Sequence, residues 1–153
     1  MAYDQMTIDI LFNRRKKSLA YYTPVADIDF VKKVLAYANH EINYNKVVLG
    51  VVNYGYAYQV IDKGTYYDYK KLSALSYKTF SDLAKSTGST PIRNSAGELS
   101  FAYTKEGQNR YAVLSDSVAI ASKVKLAKAI GLKGVVLFKI DGESDPNLWT
   151  VLK

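Results

Sequence analysis

The sequence predicts an α/β protein with parallel strands, and three observations carry that prediction. Residues Lys46-Val47-Val48-Leu49-Gly50-Val51-Val52 form an apolar run without alternation, which indicates a strand covered on both faces. Gly134-Val135-Val136-Leu137-Phe138 is a second such run. Each is preceded by a segment with helical periodicity, so helix and buried strand alternate along the chain.

The elements follow in order. Asp27 to Ile42 carries Val31, Val34, Leu35, Ala38 and Ile42 at helical spacing, with Asp27 as N-cap and Pro24 in the entry loop. After the first buried strand the texture changes. Ser76 to Lys85 reads as a short helix around Phe80, Leu83 and Ala84, ending near Gly88. Phe101-Ala102-Tyr103 and Tyr111-Ala112-Val113 alternate in period two around Lys105-Glu106-Gly107-Gln108, a hairpin with Gly107 in its turn. These pieces predict an inserted α+β subdomain over about residues 57–114. Ser115 to Ile130 is again helical, with Ile120, Val124, Ala127 and Ile130 on one stripe and Gly131 as the C′ glycine. It leads into the strand at Gly134.

Composition bounds what the chain does. With 48% hydrophobic and 23% charged residues it is a folding chain rather than a disordered one. No apolar run approaches the roughly 18 residues of a membrane span. Cysteine is absent, which excludes disulfides and thiolate metal sites. His40, the lone histidine, lies off the apolar stripe and has no companion ligand, so no metal is expected. No cofactor is expected either, because Gly50, Gly55 and Gly64 lack the spacing of a phosphate-binding loop. The net charge of +7 and the run Arg14-Arg15-Lys16-Lys17 would suit an anionic partner, but a solvated loop explains them and nucleic acid is not expected. Fourteen tyrosines suit carbohydrate stacking and strand packing equally.

Four stretches, in order, resemble the pattern of family-18 glycoside hydrolases, the chitinases and spore-germination-type hydrolases. Met1-Ala2-Tyr3-Asp4 looks like the M-x-Y-D that ends the sixth barrel strand in that family. Lys46 to Tyr56 is similar to its seventh strand, with Val52 where proline is common. Ser100-Phe101-Ala102-Tyr103-Thr104 and the helix from Ser117 resemble its inserted subdomain and seventh helix. Gly134-Val135-Val136-Leu137-Phe138-Lys139-Ile140-Asp141-Gly142-Glu143, with Leu148-Trp149 beyond, resembles strand eight and the start of the last helix, and Phe138 stands where the family has tryptophan. The resemblance implies the C-terminal part, strands 6–8, of a TIM (β/α)8 barrel, covering residues 1–153 as one partial domain.

A complete barrel takes about 250 residues, so strands one to five are expected to lie outside this chain. A truncated gene, an internal start codon or a partial sequence would each account for that. The missing N-terminal half, or self-association, would then cover the open barrel core. The compartment is not readable here, and the resemblance implies a secreted or cell-wall-associated parent.

The chemistry the resemblance implies is substrate-assisted, retaining hydrolysis of β-1,4-linked N-acetylhexosamine polymers, chitin or peptidoglycan. The sugar's own acetamide attacks, so the protein supplies a general acid and groups that orient the acetamide. The family's acid motif, D-x-x-D-x-D-x-E, is absent; Asp27-Ile28-Asp29 lacks the glutamate, with Val31 in its place. Tyr3 and Asp4 would support catalysis by holding the acetamide and the 6-hydroxyl side of the sugar. Met1 would pack on the same sugar. Tyr54 and Tyr56 would line the cleft or pack in the core. Phe138 would stack under the sugar or fill the barrel. Glu143 follows strand eight, in a loop that reaches the cleft or stays in solvent. By this reading the chain alone is inactive, and the alternative is a non-catalytic, lectin-like protein that binds cell-wall glycan.

Overall fold

The computed structural model describes residues 1–8, 20–140 and 145–152. The basic run at 14–17 and the acidic pair Asp141 and Glu143 lie outside the described residues.

Two sheets organise the fold. β1 (Val48–Val52) pairs in parallel with β7 (Gly134–Phe138), in a register that sets Gly50 beside Val136 and Val52 beside Phe138. Alternation then sends Leu49, Val51, Val135 and Leu137 to one face. That face packs into a core with Val31 and Leu35 of α2 (Ile28–Ala38) and with Ile120, Val124 and Ala127 of α4 (Ser117–Ala129). The opposite face carries Val48, Gly50, Val136 and Phe138.

The second sheet is antiparallel and runs β3-β2-β6-β5-β4, built from β2 (Gly55–Asp62), β3 (Tyr67–Leu75), β4 (Ile92–Arg93), β5 (Leu99–Lys105) and β6 (Gln108–Leu114). One face sends Tyr58, Val60, Tyr111 and Val113 into the main core. The other packs Ala57, Phe101, Ala112 and Leu114 against Phe80 and Ala84 of α3 (Tyr77–Ser86). Two short helices complete the description, α1 (Gln5–Ile8) and α5 (Leu148–Val151).

Local chemistry explains most boundaries. The Asp27 side chain accepts from the Asp29 N–H at the start of α2. Ser76 and Thr79 form a reciprocal capping box at α3. Glu106 and Gly107 both take positive φ, 55° and 70°, the backbone of a two-residue hairpin turn. Gly131, at φ 72°, ends α4.

Four expectations are corrected. The segment Met1–Asp4 is not a strand: Asp4 takes left-handed backbone at φ 57°, and the segment lies across Gly50 by side-chain contact, without a hydrogen-bond ladder. The helix from Asp27 stops at Ala38, and Val34 and Ile42 are exposed, because only the Val31 and Leu35 row meets the sheet. Tyr44–Lys46 is a 3₁₀ turn, so the first strand begins at Val48 rather than Lys46. The strand at Gly134 is apolar on both faces but covered on one: Val136 and Phe138 are 54% and 50% exposed. Among the described residues β7 pairs only with β1 and is an open edge. The hairpin of β2 and β3 was not foreseen; the inserted sheet and α3 occupy Gly55–Leu114.

Candidate functional site

The chain bends sharply at three places that meet. β1 ends at Val52, and Asn53-Tyr54 turns it into β2, which begins at a Gly55 so close to β6 that a Cβ there would sit 1.8 Å from the Val113 carbonyl oxygen. Ser115 N–H donates to the Tyr54 carbonyl at 3.1 Å and pins the turn to the other end of the insertion. β7 ends beside it: Asn53 N–H donates to the Phe138 carbonyl, and Lys139 N–H donates to Asn53 Oδ1 at 3.0 Å. The Phe138-Lys139 peptide is cis. The third segment is Met1–Asp4, brought in over the bare surface of Gly50.

Between them lies a cleft of about 470 Å³ lined by Asp4, Asn53, Tyr54, Phe138 and Lys139 on one side, and by Tyr56, residues 74–76 and Thr79 on the other. One Asp4 oxygen accepts from both the Tyr54 hydroxyl, at 2.8 Å, and the Tyr56 hydroxyl, at 2.7 Å. Burial first, and then the hydrogen bond to Asp4, pushes the Tyr56 phenol up to about 12. The Tyr54 phenol is raised further, again by burial first and then by hydrogen bonds with Tyr56 and Asp4. Both are therefore protonated donors at neutral pH. The Tyr3 ring stacks on Phe138 at 6.3 Å with 18° between planes, and Tyr54 stands edge-on to both. Lys71 Nζ lies 4.1 Å from the centre of the Tyr56 ring, a cation–π contact at the rim.

Of the residues singled out from sequence, Asp4, Tyr54, Tyr56 and Phe138 line this cleft. Tyr3 is buried beneath it, its hydroxyl donating to the Met1 sulfur, and Met1 itself is 89% exposed. A larger hollow, about 590 Å³, opens between residues 20–22 and the sheet residues Ser100, Ala102 and Tyr111, but no carboxylate is among the described residues that line it. The smaller cleft is the one that gathers chemistry.

The whole fold has known counterparts. It superposes on a chitinase from Chromobacterium violaceum with a TM-score of 0.74 at 24% identity, covering 99% of this chain and 43% of that one. It matches the spore cortex-lytic enzyme SleL of Bacillus megaterium with a TM-score of 0.74 at 25% identity, over 99% of this chain and 32% of the enzyme. The fold matches the C-terminal part of a family-18 glycoside hydrolase barrel. In sequence, the glycosylase YvbX of Bacillus subtilis is 24% identical over 131 residues, which is 84% of this chain and 36% of YvbX. No family model matches the sequence. The chain thus spans less than half the length of each of these relatives.

The fold also uses polar residues that sequence reasoning passed over. Glu98 and Lys123 are buried together, 3.9 Å apart. Arg93 binds both oxygens of Asp116 at 2.9 and 2.6 Å, and Asp116 in turn caps α4 through the Ala119 N–H. Asp145 accepts from the backbone N–H of Ser117 and of Asn147, both at 2.9 Å. Alternation from Phe101 and Tyr103 puts Glu98 and Ser100 on the opposite face of β5, with the exposed Ala102, so the local pattern does not mark Glu98 as buried. Lys123 is legible, because it falls one turn from Ile120 on the apolar stripe.

Proposed function

We propose that this chain forms the sugar-orienting half of a glycoside hydrolase site for β-1,4-linked N-acetylhexosamine polymers, chitin or peptidoglycan. The observation that carries the reading is the Asp4 carboxylate fixed by two phenols at the floor of an aromatic cleft. A carboxylate so held keeps its second oxygen to accept an amide N–H, which an acetamido group has, while the two phenols, their single O–H groups given to Asp4, fix its direction. Positive charge develops on that group as it attacks the anomeric carbon in substrate-assisted, retaining hydrolysis, and a fixed carboxylate stabilises it. Phe138, half exposed, offers its ring to the apolar face of the sugar. Tyr3 and Met1 support that floor from below.

Asp4 is the only carboxylate among the described residues that line the cleft, and its role here is to orient. The general acid in this reading comes from the barrel half outside these 153 residues, so the chain alone binds and does not turn over. The relatives named chitinase and cortex-lytic enzyme support the glycan class and leave both polymers open. That lone carboxylate equally supports the second reading, a lectin-like protein with no acid in any part.

The test is titration of chitotetraose and of a muropeptide tetrasaccharide into the protein, followed by NMR. Shifts at Phe138, Tyr54 and Tyr56 are expected, with affinity lost in Asp4→Asn. No shift with either glycan sinks the site. Joined to a family-18 N-terminal half that carries the acid motif, the protein is expected to cleave a fluorogenic chitobioside; binding without cleavage there selects the lectin-like reading.

A further inference from the structure

Glu98 has no exposed surface, and the sugar chemistry proposed above does not use it. Alternation along β5 explains its direction: Leu99, Phe101 and Tyr103 pack under α3, so Glu98 faces the main core. The turn that presents it is rigid. Asn94 Oδ1 accepts from the backbone N–H of Ala96 and of Glu98, both at 3.0 Å, and Gly97 closes the turn at φ 75°.

From that turn the carboxylate leaves the inserted sheet altogether. It accepts the backbone N–H of Val25 and of Ala26, each at 2.8 Å. The same stretch holds the residue beside Asp4. Gln5 N–H donates to the Val25 carbonyl at 3.1 Å, and Asp27 N–H donates to Gln5 Oε1 at 3.0 Å. Gln5 is itself buried. Asp4 is the left-handed residue at which the chain turns into this hydrogen-bonded stretch, so where Gln5 sits decides where the Asp4 carboxylate points.

The arrangement is costly as a stabilising device. Burial pushes the Glu98 carboxyl up and the Lys123 ammonium down, and the two N–H groups with the facing opposite charge only partly offset this. Buried ion pairs of this kind do little for stability over apolar substitutes. What Glu98 does that an apolar residue cannot is accept two backbone N–H groups in a stretch belonging to another part of the fold.

We infer that Glu98 is a positioning residue for Asp4, through which the inserted subdomain fixes the geometry of the sugar site across residues 25–27 and Gln5. This deepens the proposed function and rests on it for the meaning of the site. The relay itself is testable without any glycan.

The experiment is ¹³Cζ-tyrosine NMR at neutral pH, with Tyr54 and Tyr56 assigned by phenylalanine substitution. Asp4→Asn supplies the signal of a broken Asp4–tyrosine contact. Glu98→Gln combined with Lys123→Met removes the carboxylate and leaves no unpaired buried charge. Gln5→Ala removes the side-chain link of the relay, the bond from Asp27 N–H to Gln5 Oε1, with the ion pair untouched, and decides the matter if the double variant does not fold. In the folded variants the Tyr54 and Tyr56 signals are expected to move towards their Asp4→Asn positions, and chitotetraose affinity to fall roughly tenfold, as for other indirect couplings. Unchanged Tyr54 and Tyr56 signals in a folded variant overturn the relay, whatever the glycan result. Moved signals in a protein that binds no glycan keep the relay and sink the proposed function.

Discussion

Side chains at the cleft constrain one another closely enough that single atoms decide. Gly50 is the clearest case: an added Cβ would lie 3.1 Å from the Tyr3 ring and 3.3 Å from Met1. Tyr3 can stack on Phe138 only because that surface is bare. Gly50→Ala is expected to push Tyr3 outward and to cost about 1–3 kcal/mol, the usual penalty of overpacking, read as a lower urea midpoint at unchanged slope. Gly55 is tighter still, since backbone and not a movable side chain occupies its Cβ position. Val52, Asn53 and Tyr54 are legible in the sequence as a strand end. That Tyr54 and Tyr56 share one Asp4 oxygen is not, because 50 and 52 residues of chain separate the partners.

Among the elements, α4 is held at its start by two carboxylates. Asp116 caps it and binds Arg93 of β4, while Asp145 joins its first turn to α5. Burial alone would raise the Asp145 carboxyl, but the hydrogen bonds from Ser117 and Asn147 outweigh it and hold the group below its ordinary 3.8. The folded protein therefore releases this proton more readily than the unfolded chain. The linked stability is present above the ordinary value and is lost as pH falls through it towards the lower folded value. Urea titrations at pH 6 and at about pH 3 are expected to show that loss, and Asp145→Asn is expected to flatten it. An equal pH slope in both proteins would remove Asp145 from the account. At α3, Ser76→Ala removes the half of the capping box that accepts the Thr79 N–H and is expected to cost about 1 kcal/mol by the same measurement.

At the scale of the whole molecule, the described residues leave an apolar surface uncovered at β7. Val48, Val136, Phe138 and Ile140 are all at least 46% exposed, on or beside an open parallel edge at β7. An apolar sheet face with free backbone groups at its rim is a template for association. The isolated chain is expected to self-associate at micromolar concentration, and Val136→Lys, on that face and away from the Asp4 contacts, to shift sedimentation towards monomer. A wild-type monomer at high concentration would contradict this. The face also takes the N-terminal half of a barrel in the proposed function.

The sequence by itself determined the α/β class, both parallel strands, the helices at Asp27, Ser76 and Ser117, and the Gly107 hairpin, since each rests on local periodicity and capping. Its ordered motifs also singled out Asp4, Tyr54, Tyr56 and Phe138, which line one cleft. Tertiary structure alone decided that Met1–Asp4 is no strand, that β7 is covered on one face, and that Glu98 and Lys123 are buried as a pair. Those outcomes depend on which distant segment arrives at each surface. A residue's own spacing fixes the face it occupies, but only the rest of the fold fixes what that face meets.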